Sequence, residues 1–126
     1  MKTLPLFVVA IAALVVGSAV LWAQESGDKA PKYTIEEVME QAHQDGLLQK
    51  VADGEATADE KLRLLDLYLS MLEQDPPQGD VDAYRAKAAQ AVAAAARVVV
   101  GRDGAEGQIK RAVNCAACHR DHKPAD

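Results

Sequence analysis

Hydrophobic residues recur at intervals of three and four positions in four stretches between residues 34 and 123, which predicts four α-helices and no strand. The first stretch begins at Thr34, and Thr34 and Glu37 have the spacing of a capping box. We expect Gly46 to bend or break this helix and Gly54 to end it. Its predicted inner face consists of Ile35, Val38, Met39, Ala42 and His43.

The second stretch has an equally clear beginning and end. Thr57 is followed three residues later by Glu60, which again has capping-box spacing. Pro76 and Pro77 end the helix because proline has no backbone N–H to donate. Its predicted inner face consists of Leu62, Leu65, Leu69 and Leu72.

The third stretch is rich in alanine, the best helix former, and it begins near Asp80 or Asp82. Gly101 has the position of a C-terminal cap. The small side chains of this helix leave room for a bulky group, although alanine also permits a close contact between two helices. The predicted inner face consists of Tyr84, Ala88, Ala91, Ala95, Val98 and Val99.

The fourth stretch begins around Gly104 or Ala105 and continues as one helix through His122. Because the connections between the four stretches are short, we expect neighbouring helices to be antiparallel. The sequence therefore predicts an all-α fold, an antiparallel up-down four-helix bundle.

The N-terminus carries a targeting segment, residues 1–23, in which Lys2 precedes twenty uncharged residues from Leu4 to Ala23. Gly17–Ser18–Ala19 offers a small-x-small cleavage site for a signal peptide. Twenty such residues are also about enough to cross a bilayer, so a retained membrane anchor remains the alternative. In either case we expect the rest of the chain in the periplasm, or otherwise outside the cytoplasmic membrane, soluble or anchored.

The remaining chain divides into a polar linker, residues 24–32, and one domain, residues 33–126. The net charge of the whole chain is −5, which disfavours nucleic acid as a partner because its phosphates repel an acidic domain. Aromatic residues make up only 4% of the sequence. A small domain has little apolar surface to bury, so we expect another group to help fill its centre.

The only two cysteines belong to the sequence Cys115-Ala116-Ala117-Cys118-His119, which is the C-x-x-C-H attachment motif for c-type haem. Two thiols three positions apart on a helical turn can reach the two vinyl groups on one edge of the porphyrin. The histidine that follows then lies under the iron. The motif predicts one covalent haem c, with Cys115 and Cys118 as thioethers and His119 as the proximal iron ligand.

Two other interpretations of the motif are weaker. A C-x-x-C redox disulfide usually belongs to a βαβ unit, and no such unit is predicted. A zinc site would need a fourth ligand, and the chain has no further cysteine. A haem also explains the thin core, because it supplies the flat apolar mass that aromatic side chains would otherwise provide.

With its motif in the last helix, the sequence resembles the class II c-type cytochromes, the cytochrome c-prime group, over residues 33–123. The family often continues C-x-x-C-H-x-x-aromatic-basic, and here His122 and Lys123 stand at the last two places. The resemblance implies an exported four-helix bundle with one haem. Many members pair through their first two helices, so a homodimer is an open alternative.

The resemblance also covers the first helix, "VMEQAHQDGLLQKV", where the family has a Leu, Phe or Met that faces the distal side of the haem. Met39 falls at that place. The Arg-Gln pair that usually precedes it is replaced by Ile35 and Glu36.

Three alternatives exist for the position opposite His119. Met39 would give an electron carrier with a raised potential. His43 lies one turn beyond Met39 and is the alternative ligand. If neither reaches the iron, the five-coordinate site would bind small gases such as NO or CO. Met71 is a weaker candidate because it lies off the predicted leucine face, and we expect His122 near the haem edge.

The sequence thus predicts single-electron transfer, with a gas-binding haem protein as the alternative. We expect no enzymatic activity and assign no catalytic residue, since no distal acid–base group other than His43 is visible. A carrier needs a redox partner protein. The cations of the fourth helix either complement the negative end of that helix, guide such a partner, or neutralise the haem propionates. They are Lys110, Arg111, Arg120 and Lys123.

Overall fold

The computed structural model describes residues 30–125, and within that range the protein is all-helical, without β-strands. The predicted signal or anchor and most of the linker lie outside the described residues. Six α-helices and one π-helical segment follow one another along the chain. They are α1 (Ile35–Val38), the π-segment (Met39–Gln44), α2 (Leu47–Ala52), α3 (Ala58–Leu72), α4 (Val81–Val99), α5 (Ala105–Val113) and α6 (Cys115–His122).

Side-chain caps set the beginnings of α1 and α3, as predicted. The Thr34 hydroxyl accepts a hydrogen bond from the Glu37 amide at 3.2 Å, and the Glu37 carboxylate accepts one from the Thr34 amide at 2.8 Å. The pair Thr57 and Glu60 repeats this reciprocal arrangement at the start of α3. These bonds satisfy amides that have no partner within the helix.

The first predicted helix is interrupted, and the expected break at Gly46 is confirmed. Gly46 has φ +81° and precedes α2 in the left-handed conformation, which glycine adopts without a Cβ clash. The π-segment just before it was not predicted. Its last turn is closed by the Asp45 amide, which donates to the Glu40 carbonyl at 2.8 Å. Such segments often occur at functional sites, and this one carries Met39 and His43.

The expectation of one continuous fourth helix is wrong, because the chain turns at Asn114. This residue has φ 39° and separates α5 from α6. Its side chain accepts a hydrogen bond from the Ala117 amide at 3.2 Å and so caps α6. Asparagine tolerates the left-handed conformation better than most residues. The C-x-x-C-H motif therefore occupies a short helix with its own direction.

The predicted inner face of α3 is wrong for Leu62 and Leu69, whereas Leu65 and Leu72 are partly buried against the core. Leu62 and Leu69 remain 51% and 38% exposed. Leucine occurs on both sides of this helix, so helical spacing alone allowed two apolar faces. The face that packs against α4 is the one that carries Leu64 and Leu67. The buried residues of α3 are Leu64, Leu67, Tyr68, Ser70 and Met71.

Helix α4 is central to the packing: it contacts α3 on one side and α5 on the other. Helix α2 packs on α3 and α5, α1 packs on α3, and α6 contacts α4. The predicted inner face of α4 is confirmed except for the half-buried Val99. The confirmed residues are Tyr84, Ala88, Ala91, Ala95 and Val98. No helix within residues 30–125 is long and apolar enough to span a bilayer.

Candidate functional site

The C-x-x-C-H motif forms the first turn and a half of α6, directly after the Asn114 cap. Cys115 is exposed and Cys118 is half-buried, and both are free thiols. Residues three apart on a helix lie on the same side, so the two sulfurs face one region of the protein.

That region is a cavity of about 190 Å³, and every site residue predicted from the sequence lines it. Both cysteines and His119 border it on one side, and Met39 and His43 border it from the π-segment. The remaining lining residues come from α3, α4, α5 and the π-segment. They are Gln44, Met71, Lys87, Ala88, Ala91 and Val113.

A larger cavity of about 750 Å³ adjoins the first and shares five lining residues with it. They are Met39, Gln44, Met71, Cys118 and His119. Tyr84 and His122 also line this larger cavity. Ligand sites typically measure about 300–1,000 Å³. The two cavities together therefore offer space for a large planar group beside the cysteines.

His43 is half-buried and lines the smaller cavity. Its ring centroid lies 6.0 Å from that of Tyr68. Burial, and to a lesser extent the charge of His119, lower the pKa of His43. The neutral imidazole, which is the form that binds metals, is therefore favoured.

Burial raises the pKa of the Cys118 thiol, although Lys87 acts in the opposite direction. Lys87 forms an ion pair with Asp121 at 3.6 Å and borders the smaller cavity. Reactive cysteines of C-x-x-C redox pairs have a lowered pKa. The environment of Cys118 thus favours the protonated thiol over a redox-active thiolate.

Within residues 30–125, two buried side-chain polar atoms have no hydrogen-bond partner, and both belong to residues beside the motif. One is the hydroxyl oxygen of Tyr68. Burial raises the pKa of Tyr68, and Cys115 raises it further, so the hydroxyl lies within electrostatic range of that cysteine. The other is Nε2 of His122, a residue that lines the larger cavity. Buried polar atoms are almost always paired, so each atom is expected to bind an ordered water molecule or a polar group of a ligand.

His122, which was expected near the haem edge, is buried and lines the larger cavity. Its Nδ1 donates to the Gln78 carbonyl at 3.2 Å. Its ring meets the Tyr84 ring edge to face, with centroids 5.5 Å apart. Nε2 is then the nitrogen left without a partner.

Sequence reasoning missed or undervalued several residues of the site. Met71 was discounted because it lies off the predicted leucine face, yet it is buried and lines both cavities. Correct assignment of the inner face of α3 would have found it. Neither Tyr68 nor Lys87 could be recognised as a site residue from the sequence, because a single tyrosine or lysine in a helix is common.

No family model, curated protein or solved structure matches this chain. In the part of the chain that the structure describes, no group of three or more His, Cys, Asp or Glu residues could hold a bare metal ion. We therefore infer the function from the motif and the cavities around it.

Proposed function

We propose that the protein is an exported c-type cytochrome of the class II type, which carries single electrons through one covalent haem. The observation that supports this most directly is the cavity in which Cys115, Cys118 and His119 face Met39 and His43. Cys115 and Cys118 would hold the haem, and His119 would bind its iron from the proximal side.

The residues of the site fit such a group in size, chemistry and polarity. Ala88 and Ala91 leave space on the α4 side of the cavity. His122, whose Nε2 is unpaired, borders the larger cavity and is suited to the polar edge of a porphyrin. Each thioether forms when S–H adds across a vinyl double bond, which needs no oxidant and no leaving group.

When bound, the haem supplies a one-electron couple of its iron. The protein supplies the ligands, excludes water and adjusts the potential. Met39 is our preferred distal ligand because it lines both cavities and is half-buried against the core. A thioether ligand raises the potential relative to a second histidine, which suits an electron carrier.

His43 is the alternative ligand, since burial favours its neutral form. Met71 is a further thioether candidate because it borders the same two cavities. We assign no catalytic residue and propose no enzymatic reaction.

We also propose that the helices form an antiparallel four-helix bundle. In this view α1, the π-segment and α2 act as one bent first helix, and α5 and α6 act as the last. The contacts α1–α3, α3–α4, α4–α5 and α2–α5 support this arrangement, because they link the four units in a closed ring. The uncharged N-terminal stretch from Leu4 to Ala23 supports export.

The competing function is a five-coordinate haem protein that binds NO or CO. The apolar lining of the smaller cavity, which includes Met71, Ala91 and Val113, favours it, because such a wall suits an uncharged gas molecule next to the iron. In that case neither Met39 nor His43 would reach the metal.

Optical spectra of the purified full-length holoprotein, oxidised and reduced and with and without CO, test these proposals. A low-spin spectrum with a sulfur-to-iron charge-transfer band, unchanged by CO, supports the Met-ligated carrier. A high-spin spectrum that shifts with CO supports gas binding. In parallel, the Cys115→Ala/Cys118→Ala double variant should release its haem into acidified acetone, whereas an Ala117→Ser control should retain it. Haem that is extractable from the wild-type protein contradicts the assignment of a c-type cytochrome.

A further inference from the structure

The positive charges of the protein fall into two groups that differ in their surroundings. In the part of the chain that the structure describes, most cations are engaged by an acidic or polar side chain. The pairs are Lys32–Asp66, Lys50–Glu60, Lys61–Glu106, Arg63–Gln41, Arg85–Asp75, and Lys87 and Arg120 with Asp121. Lys123 also has an interaction.

The second group comprises Arg97, Arg102, Lys110 and Arg111, and we call these four residues the basic cluster. None of their side chains has a hydrogen bond or ion pair with a described residue. They all belong to the last turn of α4, the loop after it and the last turn of α5. Among the described residues, the cations without such a partner are thus these four, which all lie between residues 97 and 111 of a chain whose net charge is −5.

Two members of the basic cluster border one cavity. Arg97 from α4 and Arg111 from α5 line a space of about 420 Å³, together with Gln108. The apolar part of the lining consists of Ala94, Ala105, Ile109 and Ala112. Because like charges repel each other, an anion bound between the two guanidinium groups would reduce their repulsion.

The helix dipole does not explain the basic cluster completely. A cation in the last turn of a helix is stabilised by the carbonyl groups there, which accounts for Arg97, Lys110 and Arg111 one by one. Arg102 lies just after α4, and its amide donates to the Arg97 carbonyl at 2.9 Å, so it too is close to the carbonyl groups of that helix end. The dipole does not account for the shared cavity of Arg97 and Arg111.

The cavity of the basic cluster is separate from the motif cavities but near them. No residue lines both it and either of those cavities. Arg111 precedes Cys115 by four residues. Along α4, Arg97 follows the cavity-lining Ala91 by six residues, which is about 9 Å of helix.

We propose that the basic cluster is the docking surface for an acidic redox partner protein, with a carboxylate side chain of that partner inserted between Arg97 and Arg111. A guanidinium group binds a carboxylate in a planar, bidentate manner. Charge complementarity also steers the encounter of two proteins. Because the rest of the carrier is acidic, an acidic partner would be attracted to the basic cluster and repelled elsewhere. The proposal rests on the proposed electron-carrier function, because a carrier must dock transiently.

The test uses a fluorescently labelled peptide of ten glutamates and the full-length holoprotein at low ionic strength. The variant Arg97→Gln/Arg111→Gln is compared with Arg63→Gln/Arg85→Gln, which removes the same number of arginines from outside the cluster. We expect the cluster variant to bind the peptide about tenfold more weakly and the control to bind like the wild type. Fluorescence anisotropy measures both affinities, and added salt should weaken the wild-type binding.

Three results overturn the docking proposal: no peptide binding by the wild type, an equal loss in both double variants, or tighter binding to phosphatidylglycerol vesicles than to the peptide. The haem absorbance of the same samples reports separately on the proposed function. Arginine-dependent peptide binding by a protein without covalent haem would support the docking surface and contradict only the cytochrome assignment.

Discussion

The ring of His122 meets the ring of Tyr84 edge to face, with the centroids 5.5 Å apart. Tyr84 in turn donates its hydroxyl to the Met71 carbonyl at 2.8 Å, and His122 donates to the Gln78 carbonyl at 3.2 Å. These contacts connect the end of α6 to α3, to α4 and to the loop between them. The position of the helix that carries the C-x-x-C-H motif therefore depends on its last residue.

His122→Ala should destabilise the protein by about 2 kcal/mol, because it removes a buried ring and its hydrogen bond. His122→Phe keeps the edge contact with Tyr84 and removes the unpaired Nε2, so we expect a smaller loss. Denaturant unfolding measures both values. Equal losses in the two variants would show that the ring contact contributes nothing.

Gly79 allows the close approach of α6. It has φ +84°, and a Cβ there would lie 2.5 Å from the Asp121 carbonyl oxygen and 2.7 Å from Nδ1 of His122. Gly101 is a matched control, since it has φ +70° but no neighbour within 4 Å of a Cβ. Both substitutions to alanine incur backbone strain of about 1–2 kcal/mol. Gly79→Ala should lose at least about 1 kcal/mol more because of the clash.

Amide hydrogen exchange shows which helix is affected by the additional loss of stability in Gly79→Ala. In Gly79→Ala the amides of α6 should exchange faster than in Gly101→Ala, whereas those of α3 should change alike in both variants. If the two alanine variants behave identically, the close packing of Gly79 on α6 is not important for stability.

Met39→Ala tests the distal ligand. If Met39 binds the iron, its loss should open the site, lower the reduction potential and permit CO binding. Met71→Ala is the matched control, because Met71 is a second methionine on the same two cavities. An unchanged spectrum in Met39→Ala, or the same changes in Met71→Ala alone, would remove Met39 from this role.

Tyr84 should make the stability of the protein sensitive to alkaline pH. Burial is the main cause that raises the pKa of Tyr84 from 10.0 to about 12, with smaller contributions from Cys118 and Asp75. The unfolded chain therefore loses this proton at lower pH than the folded protein. The resulting stabilisation is complete below about pH 10 and disappears as the pH rises to about 12.

Tyr84→Phe provides the measurement. At neutral pH the variant should be less stable by about 1 kcal/mol, because it lacks the hydrogen bond to the Met71 carbonyl. Between about pH 10 and pH 12 the wild type should lose stability faster than the variant, so the two unfolding free energies should converge. The buried Tyr68 is present in both proteins and its effect cancels. A constant difference at all pH values would contradict this account.

Short sequence patterns were sufficient to predict several of the helix ends of this protein. The caps at Thr34 and Thr57 and the break at Gly46 depend on atoms within a few residues, and each was predicted correctly. The C-x-x-C-H motif is similarly local, because its chemistry requires only the spacing of Cys115, Cys118 and His119. The structure places Met39 and His43 on the same cavity as the motif, and their role as iron ligands stays a prediction.

The tertiary structure decided what depends on contacts between distant parts of the chain. Helical spacing could not choose between the two leucine-bearing faces of α3, and packing on α4 buried Leu64 and placed Met71 in the site. The turn at Asn114 leaves no mark in the hydrophobic pattern, since it changes the direction of the helix and not its spacing. The pairing of charges is likewise a property of folded neighbours, so only the structure could show that the basic cluster of Arg97, Arg102, Lys110 and Arg111 stands apart.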